Sequence, residues 1–242
     1  MSDIVDIVIP VYQEAENIWC TLGQIEKKVS TAHRIYLVYD FAEDNTLPVV
    51  REFVRQRGAK NIFLIKNRYG DGVLNAIKTG FDSASEDAVV VVMADGSDDL
   101  SIVDAMFDRI KQGYDIVCGS RYVRGGGQIG GPRLKKFLSR AAGISLHILT
   151  GIPTHDISNS FKMYRKSLLR DVVLESNGGF EIGMEITVKA FLKGARISEI
   201  PCVWRERAAG KSRFKFSKWL PGYVRWYLYA IMGQLKNKLR GR

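Results

Sequence analysis

The sequence predicts one α/β domain: a mostly parallel central sheet flanked by helices, with an amphipathic helix at the C-terminal end. Strand-like apolar runs at residues 6–12, 34–40, 61–67, 88–95 and 114–121 alternate with helix-like segments at 14–30, 47–58, 73–85 and 101–112. That rhythm marks βαβ units, whose strands lie parallel and whose helices cover the sheet. The residues able to do chemistry cluster where the runs end, and in parallel sheets those carboxyl ends line the ligand crevice.

Taken in order, "DIVIPVY" is apolar at almost every position, as a strand buried on both faces must be, and leads into Tyr12 and Glu14. "RIYLVYD" ends on Asp40, "NIFLIKN" on Asn67, "AVVVVMAD" on Asp95 and "YDIVCGSR" on Arg121. After residue 121 the rhythm breaks. "VRGGGQIGGPR" reads as a flexible loop. Its Gly125, Gly127 and Gly130 imitate a dinucleotide fingerprint, but the run follows the fifth strand, Pro132 interrupts it, and no acid lies about twenty residues on. An amphipathic helix is expected over 134–151, then a helix and a strand within 178–204. No repeat and no linker marks a second domain. Residues 1–204 form the domain, and 205–242 either belong to it or contact a membrane or a partner.

The net charge of +10 lies wholly in that last stretch, where 11 Lys+Arg face Glu206 alone. A neutral body with a basic, aromatic tail points to an anionic surface or substrate group and away from nucleic acid. In the tail, Trp219, Tyr223, Trp226, Tyr227 and Tyr229 mix with Arg225 and terminal cations, which suits a helix lying on a bilayer or one docked on the body. The cysteines, Cys20, Cys118 and Cys202, are odd in number and scattered, so a reducing compartment and apolar packing are expected. The N-terminal residues read as a first strand rather than a signal peptide, and no window is apolar enough for a membrane span.

Glu14, Asp40 and Asp95 end three different strands. Carboxylates there can accept the N–H groups of a nucleobase or hold a cation beside a diphosphate. Asp98 and Asp99 follow, either supporting that site or capping the next helix; capping is favoured for Asp99 and Asp98 is left open. Arg121, Arg124, Arg133, Lys135, Lys136 and Arg140 form a run of cations without an acid. Such a run is a solvated face or a phosphate site.

Together, "VIPVYQEAENI", "YDFAEDNT", "NRYGDGVLNAIKTGF", "ADGSDD", "GSRYVRGG" and "DISNSFKMYRK" resemble, in order, the motifs of family 2 glycosyltransferases, and most closely the dolichol- and polyprenol-phosphate mannosyl- and glucosyltransferases. The resemblance implies the GT-A fold and inverting transfer of a hexose from a GDP- or UDP-sugar to a polyprenyl phosphate. It places Pro10, Tyr12, Glu14, Asp40, Asn67 and Asp95 at the donor nucleotide, and Asp95, Arg121 and Asp156, the last beside the transferred sugar, in catalysis. Arg121, Arg133, Lys135, Arg205, Lys211, Ser212 and Arg213 fall at the acceptor phosphate. Mg²⁺ or Mn²⁺ would sit on Asp95, helped by Ser97 and Asp98. Two departures stand out: Tyr39 precedes Asp40 where an acid is usual, and Met93 replaces the first aspartate of D-x-D. A thioether is a poor ligand for a hard cation. A cytoplasmic protein held peripherally on a membrane is expected, with a homo-oligomer or a membrane partner subunit possible.

Two other readings stay open. The same fold acting on a glycan or small-molecule hydroxyl would need a base, for which Asp156 or Glu185 is the candidate. A non-catalytic module binding a sugar nucleotide or nucleic acid is the other class.

Overall fold

A computed structural model describes residues 2–207, 209–210 and 216–240. The expected α/β domain is present. Seven strands, β1 (Ile4–Val11), β2 (Ala32–Tyr39), β3 (Ile62–Lys66), β4 (Ala88–Val91), β5 (Ile116–Ser120), β7 (Lys162–Arg165) and β8 (Ile197–Pro201), form the central sheet in the order β3-β2-β1-β4-β7-β5-β8. All neighbours are parallel except β7, which runs antiparallel to both β4 and β5. The interior residues of β1 and β4 are buried on both faces, so their valines and isoleucines have no polar alternation to offer.

Helices α1 (Ala15–Lys28), α2 (Thr46–Arg57) and α4 (Val103–Lys111) cover one face; Ile18, Leu22, Phe53, Met106 and Phe107 pack there on Ile7, Ile9, Val90 and Val117. Helix α3 (Val73–Ser83), the short α6 (Lys166–Asp171) and α7 (Ile182–Leu192) cover the other, where Leu74, Ile77 and Phe81 meet Val8, Val89 and Val91. Gly80 makes that contact possible: a Cβ on it would meet Val8 Cγ1 at 2.2 Å. Any side chain would push α3 off the sheet.

Helices α5 (Arg133–Thr150) and α8 (Phe216–Leu239) form a third layer on α7. Its small core joins Leu146, Ile152, Met184, Val188, Trp226 and Ala230, with Trp226 only 1% exposed. Trp226 Nε1–H donates to Ser176 Oγ at 2.8 Å and Tyr227 hydroxyl meets Ser145 Oγ at 2.9 Å, so α8 is docked on the body. The opposite side of α8 is apolar and open: Leu220, Val224, Leu228, Tyr229, Met232 and Leu235 are all at least 40% exposed. Helix α5 divides similarly, with Leu146 buried and Leu134, Phe137, Leu138 and Ile148 exposed. Among the described residues, no helix is long and apolar enough to cross a membrane.

The glycine-rich run departs from its expected looseness. Gly127–Ile129 is a strand, β6, paired in parallel with β9 (Val203–Arg205). This ribbon crosses the expected boundary at residue 204 and is fastened to the segment after β4: Asp99 accepts Val203 N–H at 3.1 Å, and Ser97 C=O accepts Arg205 N–H at 3.0 Å.

Candidate active site

Register brings the strand ends together. Val11 pairs with Tyr39, Tyr39 with Lys66, and Val8 with Val91. The residues just beyond these positions, Tyr12 and Glu14, Asp40, Asn67 and Asp95, therefore emerge on one carboxyl edge. Pro10 stays buried inside β1, while Tyr12 is 47% exposed and its ring meets Phe41 edge-on at 5.6 Å.

The turn after β1 is built for Glu14. Gln13 takes the left-handed conformation (φ 56), uncommon for a residue with a side chain. Its N–H donates to the buried Asp44 carboxylate at 3.0 Å, and Glu14 N–H donates to Thr46 Oγ1 at 2.9 Å. These bonds hold the strained backbone. Asp40 is held as firmly, accepting from Asn67 Nδ2 at 2.8 Å and from Gly72 N–H at 2.9 Å. Asn67 in turn accepts from Thr79 Oγ1 on α3 at 2.9 Å.

Asp95 opens a tight turn in which Gly96 has φ +72, and its Oδ1 accepts Ser97 N–H at 3.1 Å. Its Oδ2 meets a residue absent from the sequence-based candidates. Arg207 Nη2 donates to Asp95 Oδ2 at 2.9 Å and to Glu14 Oε1 at 2.8 Å, tying two strand ends with one guanidinium. Burial works against that charge, but the two carboxylates outweigh it and raise the Arg207 pKa. Arg205, the candidate read from sequence, is exposed and serves through its backbone in β9. No local signal in the sequence marks Arg207, because its partners Asp95 and Glu14 lie more than a hundred residues away.

The aspartates after Asp95 part company. Asp99 accepts Ser101 N–H at 3.4 Å and so caps the short turn before α4, as favoured from sequence. Asp98 does not cap. Only 6% exposed, it turns inward and accepts Met93 N–H at 2.7 Å. Burial, with some help from the charge of Asp95, pushes its pKa up to about 7. Ser97 is buried as well, at 3% exposure. As expected cation ligands, Asp98 and Ser97 are thus withdrawn from the edge, and Asp95 is the carboxylate left facing it. Among the described residues no group of three acids, histidines or cysteines is placed to hold a metal. That set fits a hard cation only when most of its ligands are phosphate oxygens and water.

Asp98 gives a testable pH dependence. A carboxyl whose pKa is raised by folding stabilises the fold below its ordinary value of 3.8, and that contribution is lost as pH climbs through about 7. Asp98→Asn keeps an acceptor for Met93 N–H and removes the charge. Its stability relative to the parent should improve between pH 5 and pH 8, by up to a few kcal/mol in denaturant unfolding. A difference that does not vary with pH contradicts this assignment.

Arg121 and Asp156 form a second cluster. Asp156 is fully buried; it accepts Arg121 N–H at 3.0 Å, Nε at 2.6 Å and Nη2 at 2.7 Å. Arg121 Nη2 also reaches Ser139 and Ser158, and its guanidinium lies 4.9 Å from the Tyr122 ring. Burial opposes the Arg121 charge, yet Asp156 holds its pKa above the ordinary value. Asp156, expected beside the transferred sugar, has both its oxygens engaged by Arg121. Glu185 is likewise occupied: fully buried, it accepts the backbone N–H groups of Glu175 and Ser176 and the Lys189 ammonium. In this arrangement both carboxylates are engaged by cations, Asp156 by Arg121 and Glu185 by Lys189.

Lys135 is partly buried, and burial and the Arg121 charge lower its pKa. Arg133 is exposed, and Lys211, Ser212 and Arg213 lie outside the described residues.

The model of glycosyl transferase family 2 matches residues 6–173. This chain belongs to that family. It is 31% identical over 233 residues to a dolichol-phosphate mannosyltransferase of Pyrococcus furiosus, covering 94% of this chain and 63% of that protein. It is 28% identical to an undecaprenyl-phosphate mannosyltransferase of Micrococcus luteus, covering 96% and 97% of the two chains. To a polyprenol monophosphomannose synthase of Mycolicibacterium smegmatis it is 26% identical, over 97% and 89%. Its fold matches glucosyl-3-phosphoglycerate synthase of Mycobacterium tuberculosis, a structure containing Mn²⁺ and UDP, with a TM-score of 0.65 at 14% identity over 96% of this chain and 80% of that one. The protein is therefore a glycosyltransferase of the GT-A fold, as the ordered motifs implied.

Proposed function

We propose that the chain transfers a hexose from a GDP- or UDP-linked donor to a polyprenyl phosphate, at the cytoplasmic face of a membrane on which it rests peripherally. The observation that carries the reading is the Arg121 cluster. Asp156, Ser139 and Ser158 fix Arg121 through Nε and Nη2, while its Nη1 has no partner among the described residues. Lys135 lies within its field. Two neighbouring cations with one fixed donor edge suit a phosphate monoester. The relatives bear the names of enzymes of dolichol, polyprenol and undecaprenyl phosphates.

Such an acceptor needs no free base, which suits the engagement of Asp156 by Arg121 and of Glu185 by Lys189. A phosphate monoester is anionic at neutral pH, so its oxygen bonds to the anomeric carbon with no proton to remove. The bond from that carbon to the donor diphosphate breaks, its electron pair leaves with the nucleoside diphosphate, and the centre inverts. What the chain must supply is position and charge. On this reading Asp40, Asn67 and Tyr12 hold the nucleoside, and Asp156 positions Arg121. Arg207 stands where the diphosphate gathers charge, with Arg133 and the 211–213 segment as further acceptor contacts. Mg²⁺ or Mn²⁺ arriving with the donor would be held on the protein side by Asp95 and would neutralise diphosphate charge.

The exposed apolar sides of α5 and α8, edged by Arg133, Arg140, Lys236, Lys238 and Arg240, suit the headgroup region of an anionic bilayer. Flotation with anionic vesicles should capture the protein, and Leu228→Glu/Met232→Glu should reduce capture at least tenfold without unfolding it. Capture unchanged by these charges removes α8 from the membrane contact. For the reaction itself, label should pass from a nucleotide-hexose into solvent-extractable lipid phosphate; label remaining in water contradicts it.

A further inference from the structure

On the sheet face away from α1, α2 and α4, a cleft of about 240 Å³ opens between α3, α6 and the segment after α6. Nothing in the transfer chemistry uses it. Its floor is apolar, with Phe81 6%, Val172 7% and Ile186 1% exposed. Its rim is cationic. Lys78 and Arg170 take part in no ion pair among the described residues. Lys78 instead lies 4.6 Å from the centre of the Tyr69 ring. Lys166 donates to the carbonyls of Phe81 and Ala84 at the end of α3, so its charge stays in the wall. Asp82, the acid among the lining residues, accepts the Tyr69 hydroxyl at 2.5 Å. Three cations over an apolar floor face one carboxylate engaged by a neutral phenol.

We propose that this cleft binds a small amphiphilic anion, a carboxylate or phosphate monoester bearing a short apolar tail. The tail lies on Phe81, Val172 and Leu174 while the head meets Lys78 and Arg170. The volume is below the range typical of drug-sized ligands, so the tail is short. Attraction between head and rim is strengthened because the floor excludes water. Two connections make the site regulatory. Tyr69 belongs to the turn whose Asn67 and Gly72 hold Asp40. Leu174 precedes Glu175, whose carboxylate pairs with Arg225 of α8. An anion seated here braces the nucleoside turn and the root of the C-terminal helix together. The site itself does not depend on the identity of the acceptor.

Hexyl phosphate, hexanoate, hexanol and inorganic phosphate, titrated calorimetrically into the full chain, test the proposal. The two tailed anions should bind saturably, with hexanol and inorganic phosphate at least tenfold weaker, and amide exchange in residues 67–72 should slow. Lys78→Ala/Arg170→Ala should weaken binding at least tenfold. Leu174→Trp, which fills the cleft and keeps the cations, should abolish it with unchanged circular dichroism. Absence of saturable binding overturns the site. So does equal binding of inorganic phosphate, or binding that survives Leu174→Trp and is lost in Arg121→Gln, which would place the anion at the acceptor phosphate instead.

Discussion

Asp95→Asn should lower kcat for sugar transfer about 10²–10³-fold, the usual cost of losing one preorganised electrostatic contact at a reacting diphosphate. The fold should survive. Asp95 is a strand-end residue whose Oδ1 bond to Ser97 N–H an amide oxygen can replace, and Arg207 keeps Glu14 as a partner. Neutralising Asp95 leaves the partly buried Arg207 guanidinium its bond to Glu14, so no charge is stranded and melting should change little. The informative comparison is therefore kcat against melting temperature. A large fall in kcat with little change in melting supports Asp95 at the donor diphosphate. Full activity in this variant would mean that Arg207 and the donor manage without it.

Asp156→Ala should act in the opposite way, through stability. Asp156 is fully buried and the Arg121 side chain is 12% exposed, so truncation strands a buried guanidinium. Breaking such a pair costs about 3–5 kcal/mol. Denaturant unfolding should show that loss. Asp156→Asn keeps acceptor capacity for Nε or Nη2 and should recover part of it. The two readings of the acceptor also separate here. If Asp156 only positions Arg121, the Asp156→Asn enzyme raises KM for the acceptor and keeps the shape of its pH–rate profile. A basic limb that disappears in this variant would restore Asp156 as a general base and with it the hydroxyl-acceptor reading.

Much of this was legible because parallel strands announce themselves. The first five runs carry enough consecutive valine, isoleucine and leucine to be read directly, and their polar ends then mark the crevice. β7 was not legible for a physical reason. "KMYR" is four residues long, begins and ends on a cation, and carries Lys162 buried with its ammonium satisfied by the carbonyls of Ile157 and Asn159. No hydropathy pattern predicts a buried lysine. β6 was hidden by glycine, which has little strand propensity, and its partner β9 lies some seventy residues further on.

The site was legible in its carboxylates and illegible in their partners. Glu14, Asp40 and Asp95 follow from strand-end position alone. That Asp98 faces Met93 N–H, that Asp156 is engaged by Arg121, and that Glu185 pins the 175–176 backbone are long-range or loop-geometry facts. The same holds for Arg207, whose contacts cross more than a hundred residues to Asp95. Met93 contributes its backbone N–H to Asp98 rather than its thioether to the site, and it leaves one carboxylate on the edge where D-x-D would present two.

Transfer of labelled hexose from GDP- and UDP-sugars to a polyprenyl phosphate in anionic vesicles, run beside the matching polyprenol and with and without Mn²⁺, separates a phosphate acceptor from a hydroxyl acceptor. Label should enter the lipid phosphate with one of the two donors, more of it with Mn²⁺, and none should enter the alcohol. Label in the alcohol, or in a water-soluble hydroxyl acceptor but not in the lipid phosphate, would contradict a phosphate acceptor.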